Sequence, residues 1–376
     1  MNVIVVSLGG LHAGCLGCYG SGWVDTPGLN RFAAQGVVFD WCFVDSPDPA
    51  AARWAWWTTD RQWLTAQPNR PAARPLDLLR ESGVETILIR DTSELLDRDE
   101  VAAGFSRVIN FGHRRGPGAQ AGFAAAIQLL ERKLKGSRFM LFIDCLGTHF
   151  TEQTSDQSHS EPPDVDSDDN EDNEVAQGDP IPTPPIAPTI ELLDSQFAEF
   201  AERLTNCPQW NDSLILVTSD VGLATDCTAT GDKALPALRE AVVHIPLIAR
   251  LPNGLHAGTR RHALVQSTDL LATAIDAHGI IDSAARSGTS LLTEIHRETA
   301  GQRDHVVLGS AGTAIGVRSH DWYFVVQSIQ FPPLPDDAAM LFHKPQDMWN
   351  QLDVAKQNPE VVDEKLRLIR TLTDSR

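Results

Sequence analysis

Long apolar runs are absent from this chain of 376 residues. No apolar segment approaches the roughly 20 residues that a helix needs to cross a bilayer. The amino terminus also lacks a basic segment followed by an apolar stretch and a small-residue cleavage site. Because an apolar, strand-like segment begins at residue 2, we expect a protein without a membrane span that is located in the cytoplasm.

Basic residues are scarce as well. The chain has 31 Lys and Arg against 50 Asp and Glu, which gives a net charge of −19. Such an acidic chain repels phosphate backbones, so nucleic acid is not an expected partner. Outside residues 151–188 the net charge is only −8, which is ordinary for a globular domain.

Residues 151–188 contain no Lys or Arg and few bulky apolar side chains, but 11 acidic residues and seven prolines. Such a segment buries too little apolar surface to offset the entropy lost on ordering, so we predict an acidic, disordered insertion. Asp164, Asp166 and Asp168 loosely resemble a calcium-binding loop. The glycine and the glutamate that an EF-hand loop requires are missing, and a solvated linker is the favoured interpretation.

The six cysteines include one C-x-x-C pair, Cys15 and Cys18. A second pair that would complete a four-cysteine zinc site is lacking. Reduced cysteines in the core are therefore favoured over a metal or redox site.

The chain does contain a regular alternation of apolar strands and amphipathic helices. This alternation predicts a parallel sheet covered by helices on both faces. Strands are predicted at residues 2–7, 37–44, 84–90, 139–144, 213–218 and 242–249, and helices at 49–57, 120–135 and 190–204. A further helix is predicted to begin at Pro27, with Thr26 as its N-cap.

The pattern changes near residue 300. Short strands with tight connections are predicted at residues 305–309, 314–318 and 322–327, followed by a helix at 359–373. We therefore predict a large α/β domain over residues 1–300, interrupted by the insertion, and a small antiparallel subdomain over 301–376.

Several motifs in order along the chain carry a resemblance to one family. Residues 16–20 read L-G-C-Y-G, 26–33 read T-P-G-L-N-R-F-A, 46–53 read S-P-D-P-A-A-A-R, and 216–222 read L-V-T-S-D-V-G. Further segments are 148–149, 244–252, 267–273 and 288–292. Together they resemble the sulfatase family of the alkaline phosphatase superfamily. The resemblance implies an α/β/α sandwich with a largely parallel central sheet and a small C-terminal antiparallel subdomain.

The resemblance also implies a site that this chain carries only in part. In the family, a cysteine or serine four residues before the signature arginine becomes the nucleophile formylglycine; here the arginine is Arg53 and that position is Pro49. The family's divalent cation is held by four ligands. The corresponding positions here are Gly9, Gly10, Asp220 and Val221.

These substitutions remove the groups that ester hydrolysis needs. Proline has no heteroatom with which to attack sulfur, and the neighbours Asp48 and Cys42 do not stand at the nucleophile position. A hard divalent cation takes about six oxygen ligands, whereas only Asp220 remains. We therefore expect no cofactor and an inactive member of the family with a binding or assembly role, alongside an active sulfatase relative. Calcium or magnesium is expected only if the site is active after all.

Some site residues persist. The resemblance places Arg53, His149 and Lys233 around the former pocket, where they would form a weak site for an anionic or sulfated small ligand. Asp220 is expected to lie buried near Arg53, with its pKa raised by desolvation.

Two alternatives stay open at this point. One is an active sulfuric or phosphoric ester hydrolase with a relocated metal site, to which histidines 12, 113, 149 and 244 would contribute. The other is a carbohydrate- or anion-binding module that uses Arg53 and a tryptophan cluster. That cluster consists of Trp54, Trp56, Trp57 and Trp63. Filling of the core is favoured over an exposed sugar platform, because small alanines surround the indole rings.

Overall fold

The structure is a computed structural model. It describes residues 1–59, 75–91, 102, 104–111, 119–132, 134, 136–149, 186–223, 238–282, 288–296, 301, 303–310, 313–327 and 339–374. The positions 113, 233 and 63, and residues 151–185 of the predicted insertion, lie outside these ranges. Residues 187 and 188, which we assigned to the insertion, belong to a helix instead.

A large, mostly parallel sheet forms the centre of the molecule. Within the described residues its strands are β1 (Asn2–Leu8), β2 (Val37–Phe43), β3 (Glu85–Asp91), β4 (Arg107–Phe111), β5 (Phe139–Cys145), β6 (Ser213–Thr218), β7 (His244–Ile245), β8 (Leu247–Arg250) and β9 (Thr259–Gln266). Their spatial order is β4-β3-β5-β1-β6-β8-β2-β7, with β9 paired to β2. β1 lies between β5 and β6 and is parallel to both.

Helices cover both faces of this sheet. They are α1 (Pro27–Ala34), α2 (Pro49–Thr58), α3 (Pro75–Glu81), α4 (Gln120–Arg132), α5 (Ala187–Thr205), α6 (Glu240–Val243), α7 (Asp269–Ala277) and α8 (Leu291–His296). Side chains along a strand alternate between faces. Val3 and Val5 accordingly pack in the cluster that contains α2, α3 and α7. Ile4 and Val6 pack in the cluster that contains α1, α4 and α5. Burial on both faces explains why β1 is apolar throughout.

A separate antiparallel sheet follows. Its strands are β10 (His305–Ser310), β11 (Ala314–Ser319), β12 (Trp322–Gln327) and β13 (Ala339–His343), and α9 (Pro359–Asp374) comes after them. One face of this sheet packs on α9 through Ile369. The other face joins the main core through residues such as Tyr323 and Phe342. The predicted α/β class, with a parallel body and a small antiparallel sheet, is confirmed.

Three local predictions need correction. The segment predicted as one strand over 242–249 is the short helix α6 followed by β7 and β8, because Pro246 cannot donate to a continuous ladder. β9 was not predicted, since the first half of its sequence, T-R-R-H, is polar and partly exposed.

The start of α1 also differs from its prediction. The hydroxyl of Thr26 accepts a hydrogen bond from the Gly17 amide rather than capping the helix. The first amides of α1, those of Gly28 and Leu29, donate instead to Asp194 of α5, at 2.8 and 2.7 Å. A carboxylate from a neighbouring helix thus satisfies the open end.

Among the helices of the described part of the chain, none has both the length and the apolar character needed to cross a membrane.

Candidate functional site

The candidate site lies where the three central parallel strands end. Gly9 and Gly10 follow β1, Asp144 is the penultimate residue of β5, and Asp220 comes two residues after β6. Ser7 of β1 stands opposite Asp144 on one side and Thr218 on the other. The carboxyl ends of parallel strands therefore bring these residues to one edge of the sheet, the usual position of sites in such folds.

Helix α2 brings Arg53 to this edge. Pro49 is its first residue, and the Asp48 side chain caps it by accepting a hydrogen bond from the Ala51 amide at 2.6 Å. Arg53 follows one turn later and is 4% exposed. Its Nη1 also donates to the Pro49 carbonyl oxygen, at 3.1 Å. The start of the helix thus fixes the direction of the guanidinium.

The guanidinium of Arg53 bridges two buried carboxylates. Nε and Nη2 donate to the two oxygens of Asp144, at 2.7 and 3.0 Å, in a bidentate pair. Nη1 donates to Oδ2 of Asp220 at 2.8 Å. His149 Nε2 lies 2.9 Å from the same Asp220 oxygen. We call these four residues, Arg53, Asp144, His149 and Asp220, the arginine cluster.

Asp220 has no exposed surface and is fully surrounded by donors. Besides Arg53 and His149, the amides of Val221 and Gly10 donate to its Oδ1, at 2.6 and 3.0 Å. Burial by itself raises the pKa of Asp220, but His149, Arg53 and the Val221 amide outweigh it and hold that pKa well below its usual range. The expected rise in pKa was therefore wrong, because burial was considered without the counter-charges.

The pKa of Arg53 is shifted in the opposite direction, upwards. Burial lowers its pKa, but the attraction of Asp144 and Asp220 and the hydrogen bonds to both carboxylates more than reverse this and raise it. The guanidinium therefore carries a permanent charge. Since four of its hydrogen bonds go to Asp144, Asp220 and Pro49, Arg53 does not present a guanidinium face to an anion. The expected anion pocket around Arg53 does not agree with this geometry.

His149 lies at this edge, as expected, in the turn after β5. It is 4% exposed and faces Asp220 rather than a solvent-filled pocket. Lys233, the third residue of the expected pocket, falls outside the described ranges.

Gly9 and Gly10 lie in close contact with the segment after β5. A Cβ built on Gly9 would come within 2.6 Å of the Leu146 carbonyl oxygen. A Cβ built on Gly10 would come within 2.0 Å of Thr148 Oγ1, and the φ angle of Gly10, +76°, is also unfavourable for a side chain. The space that side chains at these two positions would need is filled by the protein itself.

These residues do not fit a divalent cation. Gly9, Gly10 and Val221 offer no side-chain oxygen, and both oxygens of Asp220 already accept hydrogen bonds. Asp144 is engaged by Arg53 through both of its oxygens. Over the ranges that the structure describes, no group of three or more His, Cys, Asp or Glu side chains is arranged to hold a metal ion. The two carboxylates at this edge are thus already occupied by donors, and no others in the set are left for calcium or magnesium.

The candidate nucleophiles have other roles. Pro49 begins α2 and has no heteroatom in its side chain. Asp48 is occupied as the helix cap. Cys42 is buried in β2, and burial raises the pKa of its thiol well above the ordinary value, which disfavours the reactive thiolate.

The tryptophans of α2 are part of the core. Trp54, Trp56 and Trp57 are 5%, 0% and 3% exposed. The rings of Trp56 and Trp57 lie 5.4 and 4.2 Å from that of Phe142 on β5. The favoured interpretation, core filling, holds for these three residues, and they cannot stack on a sugar. Trp63 is not among the described residues.

Asp144 is the functional residue that the sequence reasoning missed. It sits at the end of the apolar segment F-M-L-F-I-D, where an acidic residue is out of pattern for a buried strand. A charged residue at the carboxyl end of a parallel strand is a signal that points to the site edge.

Comparison with known proteins agrees with this architecture. The family model described as Sulfatase matches residues 1–280. A search of curated proteins found no match. Solved structures that match include a putative sulfatase from Bacteroides thetaiotaomicron VPI-5482, with a TM-score of 0.74 and 18% identity over 99% of this chain and 92% of that chain.

Two further similar structures are of proteins with a known ligand or activity. One is a complex with the substrate D-glucosamine-2-N,6-O-disulfate (TM-score 0.72, 14% identity, 99% and 97% of the two chains covered). The other is a phosphonate monoester hydrolase of Agrobacterium radiobacter (TM-score 0.66, 16% identity, 99% and 96% covered). At these identities the likeness concerns the fold.

Proposed function

Because the chain belongs to the sulfatase family, we propose that it is a member without ester hydrolysis whose role is binding or assembly. The observation that carries this proposal is the position of the Arg53 guanidinium between Asp144 and Asp220. Two buried carboxylates at this edge need a cation close by, and the chain supplies one from its own helix.

A guanidinium neutralises carboxylates but cannot replace a metal in chemistry. It is a planar cation with directed N–H donors, which suits it to a bidentate pair with Asp144. It has no open coordination position at which to polarise an ester oxygen or to activate a nucleophile. The role of Arg53 in its ion pairs with Asp144 and Asp220 is therefore structural, because it neutralises two buried charges.

The nucleophile position supports the same conclusion. Pro49 provides a helix start and a carbonyl acceptor for Arg53. Its ring carbons have no lone pair for attack on sulfur or phosphorus. Gly9 and Gly10 support it further, because Leu146 and Thr148 fill the space beside them.

For the binding role, we propose a sulfated or other anionic small ligand, or an active relative in the family as a protein partner. The similar structure in complex with a disulfated glucosamine makes that sugar the first ligand to test. Such a ligand would bind without a direct contact to Arg53 while the arginine cluster is intact.

An activity assay with an internal control tests the loss of hydrolysis. The purified protein is incubated with 4-nitrophenyl sulfate and 4-nitrophenyl phosphate, with calcium or magnesium added, beside an Asp220→Asn variant. We expect the same background release of nitrophenol from both proteins. Turnover by the natural chain above that of a boiled sample would contradict the proposal. Loss of this turnover in Asp220→Asn would place it at this edge of the sheet, whereas its persistence would support the relocated metal site.

Metal content gives a second, independent test. Elemental analysis after dialysis against calcium and magnesium is expected to find far less than one ion per chain. One tightly held ion per chain would instead support the alternative of a relocated metal site. Of the histidines considered for that alternative, His149 is committed to Asp220, and His113 falls in a part of the chain that is not described.

A further inference from the structure

A cavity of about 230 Å³ lies among residues other than those of the arginine cluster. His12, which comes two residues after Gly10, lines this cavity. The Cβ of His12 is in close contact with Gly222. The lining also includes three large aromatic side chains, Tyr19, Trp41 and Trp349. Neither Asp144 nor Asp220 lines it, so the cavity is separate from the carboxylates that Arg53 bridges.

His12 lines this cavity and has a buried polar atom without a partner among the described residues. The residue is 2% exposed, and its Nε2 has no hydrogen-bond partner among the residues that the structure describes. Leaving a buried polar atom unbonded is costly, so such atoms in folded proteins are nearly always satisfied. Burial also keeps this imidazole neutral, and it lowers the pKa of His12 to about 4. A ring nitrogen without a partner, on a residue that lines a cavity, is suited to one hydrogen bond with a bound molecule.

The charged groups of the wall are already paired. Asp40 accepts a hydrogen bond from Arg260 Nε at 2.8 Å and contacts His262 Nδ1 at 2.6 Å. The charge of Glu240 is neutralised by Lys344, whose Nζ lies 3.1 Å away, although neither Glu240 oxygen has a hydrogen-bond partner among the described residues. Within the described part of the wall, an ionised ligand would thus lose its hydration without gaining a free counter-charge. The wall favours an uncharged molecule.

The aromatic side chains that line the cavity indicate that the bound molecule is flat. Trp349 is 39% exposed and its ring meets that of His12 edge-on, with the centroids 6.1 Å apart. Trp41 stacks on His244 at 5.6 Å, which holds it in place. Aromatic rings bind other rings through stacked or edge-on contacts. Since an apolar cavity of about 150 Å³ accommodates benzene, a cavity of this size accommodates one ring with a substituent or two fused rings.

We propose that this cavity binds a small, flat, uncharged aromatic molecule that carries one hydrogen-bonding group, which pairs with Nε2 of His12. The inference concerns a site apart from Arg53, Asp144 and Asp220. It holds whether or not ester hydrolysis has been lost.

Binding of matched probes tests the inference. Indole and benzyl alcohol are titrated into the full-length protein by isothermal titration calorimetry, with benzoate and benzylamine as an anion and a cation of similar shape. We expect the two neutral probes to bind with dissociation constants on the order of 0.1 to 1 mM. The charged probes should bind at least roughly tenfold more weakly, because each would enter a wall of paired charges.

Variants locate the site. Trp349→Ala removes an exposed wall, and His12→Phe keeps the ring while it removes Nε2; each is expected to weaken the binding of indole by roughly tenfold. Trp322→Ala, which removes a partly buried tryptophan of the small sheet, is the matched control and should leave it unchanged. Circular dichroism and the melting temperature establish that each variant is folded.

Three results would overturn the inference. The first is that neither neutral probe binds at several millimolar. The second is that benzoate or benzylamine binds as tightly as benzyl alcohol. The third is binding that survives both Trp349→Ala and His12→Phe, which would place the probe elsewhere on the protein. Because no activity is measured, failure here leaves the proposed loss of hydrolysis untouched, and the reverse also holds.

Discussion

Two buried groups of charge in this protein differ in how completely their atoms are bonded. In the arginine cluster, both oxygens of Asp220 accept hydrogen bonds and Arg53 donates four. The second group, which we call the lysine cluster, lies next to the cavity. It consists of Glu240, His244, Arg318 and Lys344.

The lysine cluster is looser. Lys344 Nζ lies 3.1 Å from Glu240, and His244 Nδ1 lies 3.5 Å from the same carboxylate. Nε and Nη2 of Arg318 have no hydrogen-bond partner in the described ranges, although the residue is fully buried. A cluster whose polar atoms are all hydrogen-bonded resists entry by water, whereas the looser cluster keeps polar atoms without partners in the described ranges. The comparison separates a closed cluster at the strand ends from a looser cluster beside the cavity.

Removal of Arg53 is expected to have the largest effect on stability among the variants that test this comparison. Arg53→Ala leaves Asp144 and Asp220 buried without their cation, so we expect the free energy of unfolding to fall by about 3 to 5 kcal/mol. Millimolar calcium or methylguanidinium should restore part of it by binding between the carboxylates. Urea unfolding with and without these cations measures both effects.

Arg80→Ala is the matched control, because Arg80 forms an exposed pair with Asp77. Such surface pairs contribute about 0 to 1 kcal/mol. If Arg53→Ala were as stable as Arg80→Ala, the view that the guanidinium neutralises the site would be wrong.

Lys344→Met is the corresponding test of the lysine cluster. The lysine neutralises Glu240 and donates to the carbonyls of Asp347 and Met348, at 2.6 and 2.8 Å, just before Trp349. We expect a loss of about 2 to 4 kcal/mol, smaller than for Arg53→Ala because Arg318 still attracts Glu240. Urea unfolding gives the loss. A larger loss than for Arg53→Ala would reverse the ranking of the two clusters.

A pair of glycine variants measures how fully the former site is filled. Gly10 and Gly20 have φ angles of +76° and +94°, but a Cβ on Gly20 would meet nothing within 4 Å, unlike one on Gly10. Both Gly10→Asp and Gly20→Asp suffer backbone strain, whereas only Gly10→Asp clashes with Thr148. We expect Gly10→Asp to be less stable by a further 1 to 3 kcal/mol or so, by thermal unfolding.

The same variant bears on metal binding. Gly10→Asp adds one carboxylate at this edge. We nevertheless expect no gain in calcium affinity by calorimetry, since Arg53 still occupies the oxygens of Asp144 and Asp220. Equal stability of the two glycine variants, or tight calcium binding by Gly10→Asp, would show that the site is more open than described.

The smallest expected effect concerns the helix that carries Arg53. Asp48→Ala removes the cap of α2 and is expected to cost about 1 kcal/mol in the free energy of unfolding. Asp77→Ala, in the first turn of α3, serves as control for loss of an exposed carboxylate near a helix start. An Asp48→Ala protein that matches this control would show that the cap is not needed to hold Arg53.

Much of the fold was predictable because it follows from apolar patterning. The continuous apolar segment of β1 predicts a strand that is buried on both faces, and the structure places it at the centre of the sheet. Where local signals conflicted, prediction failed: Pro246 splits one apolar run into two strands, and the polar first half concealed β9. Both failures occurred where pairing partners rather than the segment itself select the structure.

The positions of some predicted site residues followed from the sequence, but their bonding did not. Arg53, His149 and Asp220 contact one another at one edge of the sheet. Lys233 lies outside the described residues, and the functional role of all four stays a prediction. Sequence reasoning gave the wrong direction for the pKa of Asp220 and missed Asp144. Electrostatic shifts depend on distances of a few ångströms between groups far apart in the chain, which no spacing of residues along it supplies.

The sequence by itself determined which residues stand at the positions where the family has its nucleophile and its metal ligands. They are proline at position 49, glycines at positions 9 and 10, and a single carboxylate, Asp220. Only the tertiary structure decided what those residues do. It turned Arg53 towards Asp144 and Asp220, filled the space beside Gly10 with Thr148, and left Nε2 of the cavity-lining His12 without a hydrogen-bond partner among the described residues. Side-chain chemistry is local, whereas charge pairing and enclosed volume arise only when distant strands and helices pack together.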